Sequence, residues 1–257
     1  MAHPETPRSR EQSAEFHKRE YLLGSGAKQE VQAHKDPNTL ACGIANSSAD
    51  RSARQVLVML AYLNRRYIDV SDSSIDEEGA YKDFWESRAI PFVAKKGPHV
   101  VGSIRLIPKS PENGLPIHWP DSKGFRMEID PPYEKMVKDA PFEVSQLAKS
   151  PKPQYGAERN ITVAVIRSFI AHLQQQDQAY AVAAIDERVI KLLNGSTLRL
   201  GLPAIGPTRY FVGSYSTPVM VNIADMIESS KKASRKGLSD FLAHGKGVPG
   251  FEWYKGM

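Results

Sequence analysis

Two charged side chains sit inside otherwise apolar strands, and they constrain this chain more than any other feature. Between Phe92 and Lys149 the sequence reads as strand (PFVAK), turn (KGP), strand (HVVGSIRLIPKS), long loop and strand (PFEVSQLAKS). Arg105 falls in the middle of VVGSIRLIP and Glu143 within FEVSQLA. Charge in a strand this apolar must be paired or put to use, because burying it alone is unfavourable. Arg105 and Glu143 are therefore the leading candidates for a site. They could equally be each other's partner, two strands meeting to neutralise one another.

The remaining signals place elements around this stretch. Val56, Leu57, Leu60, Leu63 and Tyr67 recur at helical spacing, predicting a helix over Ser52–Tyr67 that lies on a sheet. Strands Ile90–Lys95 and His99–Pro108, joined by Lys96-Gly97-Pro98, are expected to pair as an antiparallel hairpin. The segment from Pro111 to Pro141 is rich in proline and carries Trp119, Phe125 and Tyr133 with little periodicity; a loop of this length and aromatic content is expected to cover a site. A strand over Phe142–Ala148, a helix over Glu158–Gln176, a strand over Tyr180–Ile185 and a helix over Glu187–Asn194 predict a parallel crossover inside an otherwise antiparallel sheet. Strands Thr208–Gly213 and Thr217–Ile223 are expected to be joined by Ser214-Tyr215-Ser216, and helical spacing continues from Ala224 to Ala243, with an irregular end.

Composition narrows the classes. A chain of 257 residues with 41% hydrophobic content can bury a full core, and one domain is expected at 50–224, with a flexible arm at 1–49 and a helix and tail at 225–257. The net charge of +5 favours an acidic partner, but 29 acidic residues are mixed among 34 basic ones, so no nucleic-acid partner is indicated. Cys42 is the single cysteine and forms no internal disulfide, no zinc-type Cys/His spacing occurs, and the expected setting is cytoplasmic. No apolar run approaches the roughly 18 residues of a membrane span. Asp69, Asp72, Asp76 and Glu77 are hard oxygen donors without the spacing of a calcium loop, and a solvated loop is the expectation. His99, His118, His172 and His244 share no spacing.

This element order resembles that of a GNAT acyltransferase, which implies a mixed, centrally splayed sheet flanked by helices. Individual motifs agree with it. VVGSIRLIP resembles the G-x-x-R-L-x-P strand of LuxI-type acyl-homoserine lactone synthases and FeeM-like N-acyl amino acid synthases. FEVSQLAKS resembles their E-x-S-R strand, with Glu143 and Ser145 in place and Gln146 where those families usually carry Arg. YKDFWESRAIPFVAK is similar to their D-x-x-D-x-x-A-x-x-L stretch, with Asp83 at the first acid and Glu86, one methylene longer, at the second. LGLPAIGPTRYFVGSYSTPVMVNI is similar to the later part of the FeeM-like enzymes, and the resemblance spans Ser52–Ile223.

The resemblance implies an N-acyltransferase that moves a long-chain acyl group from acyl carrier protein to the amine of an amino acid or similar small acceptor. No metal or redox cofactor is expected to be bound permanently; the donor is an acyl-phosphopantetheine thioester. A Gly-rich phosphate loop is degenerate here, Gln154-Tyr155-Gly156-Ala157, which favours a carrier-borne donor over acyl-CoA. Glu143 is the expected base or grip on the acceptor amine, with its pKa raised by burial, and Leu147 or Ala148 supplies a backbone N–H to the developing oxyanion where two parallel strands splay. Arg105, Asp83, Glu86 and Ser145 are the acceptor-side residues, Arg105 offering a two-pronged guanidinium. Gln146, Ala148, Lys149 and Arg159 fall on the carrier or pantetheine side. A lactone synthase using S-adenosylmethionine and a non-catalytic module that binds an acylated carrier remain as alternatives; Gln146 and the FeeM-like later half favour the amino acid synthase.

Overall fold

The apolar strands do pair into one sheet. In the computed structural model, residues 40–69, 72–77, 79–121, 123–150, 159–195, 198–232, 236–245 and 251–253 are described. Strands β2 (Ile90–Lys96) and β3 (His99–Pro108) form the expected hairpin, with Gly97 in the left-handed region at φ 55° between paired Lys96 and His99. Strand β4 (Phe142–Lys149) lies antiparallel on the far side of β3. Helix α3 (Arg159–Gln175) then carries the chain over to β5 (Tyr180–Asp186), which runs parallel to β4. This is the crossover read from the sequence.

Those two strands meet at a single register position, Glu143 opposite Val182. Beyond it they are not paired, so the sheet splays between its two halves. Strand β4 also carries an extra residue: Arg105 pairs with Ser145 and Ser103 with Ala148, leaving Gln146 and Leu147 opposite Ile104 alone. Gln146 stands at φ 54°, the left-handed conformation of a bulge residue.

Several elements depart from the sequence reading. Within the arm expected over 1–49, Leu40–Ile44 instead forms β1, buried and antiparallel to β2; five residues are too short a run to show a period. Residues 1–39 lie outside the described residues. Helix α1 (Ser48–Asn64) starts four residues before the predicted Ser52, because the Ser47 hydroxyl accepts the Asp50 N–H at 3.0 Å and caps it. A helix, α2 (Pro131–Asp139), interrupts the presumed loop; Asp130 followed by prolines in the first turn was its signal. Helix α4 (Glu187–Asn194) has the predicted bounds, and the Asp186 carboxylate accepts the Arg188 N–H at 2.8 Å. Strands β6 (Arg209–Phe211) and β7 (Ser214–Asn222) are joined by Val212-Gly213, not by residues 214–216. Both turn residues have positive φ, the twist that suits a two-residue hairpin. The expected single C-terminal helix is two, α5 (Ile223–Lys232) and α6 (Lys236–His244), and β8 (Phe251–Trp253) runs parallel to β1 at the sheet edge. The order across the eight strands is β6-β7-β5-β4-β3-β2-β1-β8.

The two faces of this sheet are covered differently. On one, Ile161, Val165, Ile166, Phe169, Ile170 and Leu173 of α3 pack against Phe92, Ile104, Leu106 and Val144 in the main core. Gly102 is required there, since a Cβ would stand 2.3 Å from the Ile161 side chain. On the other, α1 lies over β3 and β4, and the segment between β3 and β4 folds down as a cover. Its Leu115, Ile117, Met127 and Val137 form a second core with Val182, Ile205, Phe211 and Met220.

Candidate active site

Alternation along β3 and β4 places Ser103, Arg105, Glu143 and Ser145 on the α1 side, while Ile104, Leu106 and Val144 face α3. Arg105 is buried and each of its guanidinium nitrogens is engaged. Its Nε donates to Ser145 Oγ at 2.8 Å, Nη1 to Asp83 Oδ1 and Glu86 Oε2 at 2.9 Å each, and Nη2 to Asp83 Oδ2 at 2.5 Å. Burial alone would lower its pKa, but the charges of Asp83 and Glu86 overcome this and raise it. The guanidinium expected to meet an acceptor's carboxylate is thus taken up by Asp83, Glu86 and Ser145, which makes Arg105 a brace for the strand.

A second cation completes the cluster. Arg54, fully buried on α1, donates Nη1 to Glu86 Oε1 at 2.6 Å, Nε to Ser103 Oγ at 3.2 Å and Nη2 to Gln146 Oε1. Gln146 Nε2 reaches Asp83 Oδ2 at 3.3 Å, and Gln55 Nε2 reaches Glu86 Oε1 at 3.2 Å. Two carboxylates and two guanidiniums therefore balance in one buried network, the arrangement in which each desolvated charge is compensated. Tyr62 and Tyr81, with rings 5.2 Å apart, stand beside it; burial pushes the Tyr62 phenol up to about 12 and the Tyr81 phenol higher still. Both phenols stay protonated at neutral pH.

Glu143 is separate from this network. Its Oε2 accepts the backbone N–H of Ile117, in the cover, at 2.6 Å, and Oε1 has no hydrogen-bond partner among the described residues. Burial pushes its pKa up to about 8, against the smaller opposing pulls of the Ile117 N–H and the Arg105 charge. The alternative of a direct Arg105–Glu143 ion pair is not what the structure contains. Proton transfer near neutral pH is within reach of a carboxyl so placed.

The other predicted residues are distributed along the end of β4. Leu147 is half-buried beside the main core, Ala148 is buried opposite Ser103, and the Lys149 side chain is exposed opposite Gly102. Arg159 opens α3, while Gln154–Ala157, the degenerate phosphate loop, lie outside the described residues. Asp76 of the acidic loop accepts the Ala80 N–H at 2.8 Å and pairs with Lys82, so it shapes a turn. Cys42 is buried in β1, which pushes its thiol pKa up, away from nucleophilic use. Among the described residues no group of three or more His, Cys, Asp and Glu is placed to hold a metal ion, and no helix is long and apolar enough to cross a membrane.

Arg54 and Ile117 were not singled out from the sequence. Arg54 had a faint signal, lying three and four residues before the buried Leu57 and Val58 and so on their face of the helix. The Ile117 N–H had none, as a backbone donor leaves no mark in side-chain chemistry. On the cover side of Ile117 lies a cleft of about 380 Å³, lined by buried Met127 and Val137 and half-buried Ile129, with Arg126 and Lys138 exposed at it.

No protein-family model matches the chain, and no curated protein matches it in sequence. Solved structures do match. FeeM, an N-acyl amino acid synthase from uncultured soil microbes, superposes with a TM-score of 0.54 at 16% identity, over 76% of this chain and 97% of FeeM. The AHL synthase LasI does so with a TM-score of 0.50 at 13% identity, over 81% of this chain and 95% of its own. The CoA-dependent acyl-homoserine lactone synthase BjaI, in a structure with SAM and isopentyl-CoA, gives a TM-score of 0.49 at 14% identity over 84% and 93%. The chain shares the fold of FeeM and LasI, the GNAT-like sheet that the sequence motifs implied.

Proposed function

We propose that this chain is an N-acyltransferase that moves a long-chain acyl group from an acyl carrier protein thioester to the amine of an amino acid or similar small acceptor. The observation that carries the proposal is the meeting, on one strand, of a buried carboxyl of raised pKa and a bulge at the mouth of a splayed sheet. A thioester carbonyl lying in the splay would have its developing oxyanion met by the Leu147 backbone N–H. Glu143, in its ionised form, takes the proton of the attacking ammonium through Oε1. The amine nitrogen then bonds to the carbonyl carbon, the C–S bond breaks, and the pantetheine sulfur leaves as the thiol with the second proton shed by that nitrogen. Asp83, Glu86, Arg105 and Ser145 keep β4 in place, and Asp83 and Glu86, still partly exposed, present carboxylate oxygens to the acceptor at the rim. Lys149 and Arg159 lie at the end of β4 and the start of α3, where an acidic carrier would approach.

The test incubates the purified chain with palmitoyl acyl carrier protein or, separately, palmitoyl-CoA, each with mixed amino acids or with S-adenosylmethionine, and reads products by mass spectrometry. An N-acyl amino acid formed in the carrier arm is the expected result. Product in the CoA arm alone moves the donor to CoA, and product only with S-adenosylmethionine makes the chain a lactone synthase. Carrier binding with no product in any arm overturns the enzyme and leaves a binding module.

A further inference from the structure

Arg54 has no part in the chemistry proposed above, yet it is the most deeply buried charge described. Its contacts show what it holds. Arg54 Nη2 grips the oxygen of the Gln146 amide, and Asp83 takes the nitrogen end of the same amide at 3.3 Å. Gln146 is also a bulge residue, a non-glycine held at φ 54°. That conformation is unfavourable for an L side chain and persists only where the surroundings impose it. An amide is neutral and can accept from a guanidinium at one end while donating to a carboxylate at the other. A positive residue at 146 would bring a third buried cation to two carboxylates and face Arg54 directly.

We infer that Arg54 is a positioning residue: with Asp83 it clamps the Gln146 amide, and the clamp fixes the bulge that sets the backbone at Leu147. This rests on the acyl-transfer reading only in giving Leu147 its catalytic meaning; the clamp itself is a statement about the backbone. Arg54 touches no substrate in this scheme. Its effect on turnover passes through the bulge, so it vanishes once the bulge no longer needs holding. Glycine adopts positive φ without strain and supplies that condition.

The experiment is a double-mutant cycle between Arg54→Lys and Gln146→Gly. Lysine keeps the charge opposite Glu86 but, as a compact ammonium, cannot also bridge Ser103 and Gln146. Two readouts are taken: the amide hydrogen-exchange rate of Leu147, and kcat and KM for the acceptor. In the Gln146 background, Arg54→Lys is expected to speed Leu147 exchange ~10-fold. There it should also lower kcat ~10- to 100-fold while KM changes by less than about twofold. In the Gln146→Gly background the same substitution should change either quantity by less than about twofold. A residue that merely stabilises the fold through Glu86 would give equal effects in both backgrounds, and that result overturns the clamp. So does unchanged Leu147 exchange in Arg54→Lys. If the wild type makes no product while exchange still follows the cycle, the acyl-transfer reading fails and the clamp stands.

Discussion

The two faces of β3 and β4 are built from alternate residues of the same strands and solve opposite problems. Toward α3, Ile104, Leu106 and Val144 meet Ile161, Val165, Ile166, Phe169, Ile170 and Leu173 of the helix, and the contact is apolar. Toward α1 and the cover, Ser103, Arg105, Glu143 and Ser145 meet two acids, a second arginine and a backbone N–H. The difference teaches where this fold invests its specificity. Apolar packing tolerates many partners of similar volume, whereas each buried charge dictates which group stands opposite it.

If that contrast holds, the faces should respond differently to substitution. The largest effect is expected from Arg105→Met, which strands Asp83 and Glu86 without their shared cation and should lower the unfolding free energy by ~3–5 kcal/mol in urea titrations. A loss below ~1 kcal/mol would mean that solvent already screens the network.

Next is Glu143→Gln, which keeps an acceptor for the Ile117 N–H and removes the titration. Between its ordinary value of 4.5 and about 8, folded Glu143 holds a proton that the unfolded chain has released. Folding stability therefore falls as pH rises through this window. Relative to the variant, the wild type should lose ~1.4 kcal/mol per pH unit there, read from melts at several pH values. Parallel curves would show that Glu143 titrates normally. In turnover, a limb that rises to about pH 8 should disappear from the variant, with a ~10²- to 10⁴-fold fall in kcat.

On the apolar face, Gly102→Ala drives a Cβ to 2.3 Å from Ile161 and should cost ~1–3 kcal/mol with no dependence on pH. A pH-dependent loss would blur the distinction between the faces. The smallest effect is expected from Ser145→Ala, which removes one neutral acceptor from Arg105 Nε and should cost ~1 kcal/mol in the same melts. A much larger loss would mark the hydroxyl as a principal support of the network.

Much of this architecture was legible in the chain. The β2–β3 hairpin announced itself through Gly97, α4 through its Asn194-Gly195 end, and the crossover through the order of its periods. Arg105 and Glu143 stood out because a strand exposes its pattern residue by residue, so one charge among apolar neighbours is visible. Asp83, Glu86, Ser145 and Gln146 followed from motif resemblance, and the structure brings all four to Arg105 or to its partners.

What the chain alone could not decide was the pairing. Arg54 reads as an ordinary polar residue of an amphipathic helix, and only the seating of α1 on β3 and β4 turns it inward to Glu86 and Gln146. Glu143 could have met Arg105, and it meets the Ile117 N–H because the cover folds down onto the same face. Strands β1 and β8 become strands by pairing at an edge that local pattern does not reveal. Local preferences and periodicity belong to neighbours in sequence and can be read there. The partner of a buried charge is set by residues far away in sequence, 22 positions from Arg105 for Asp83 and 49 from Arg54 for Ser103, and that choice exists only once the helix and the cover are laid on the sheet.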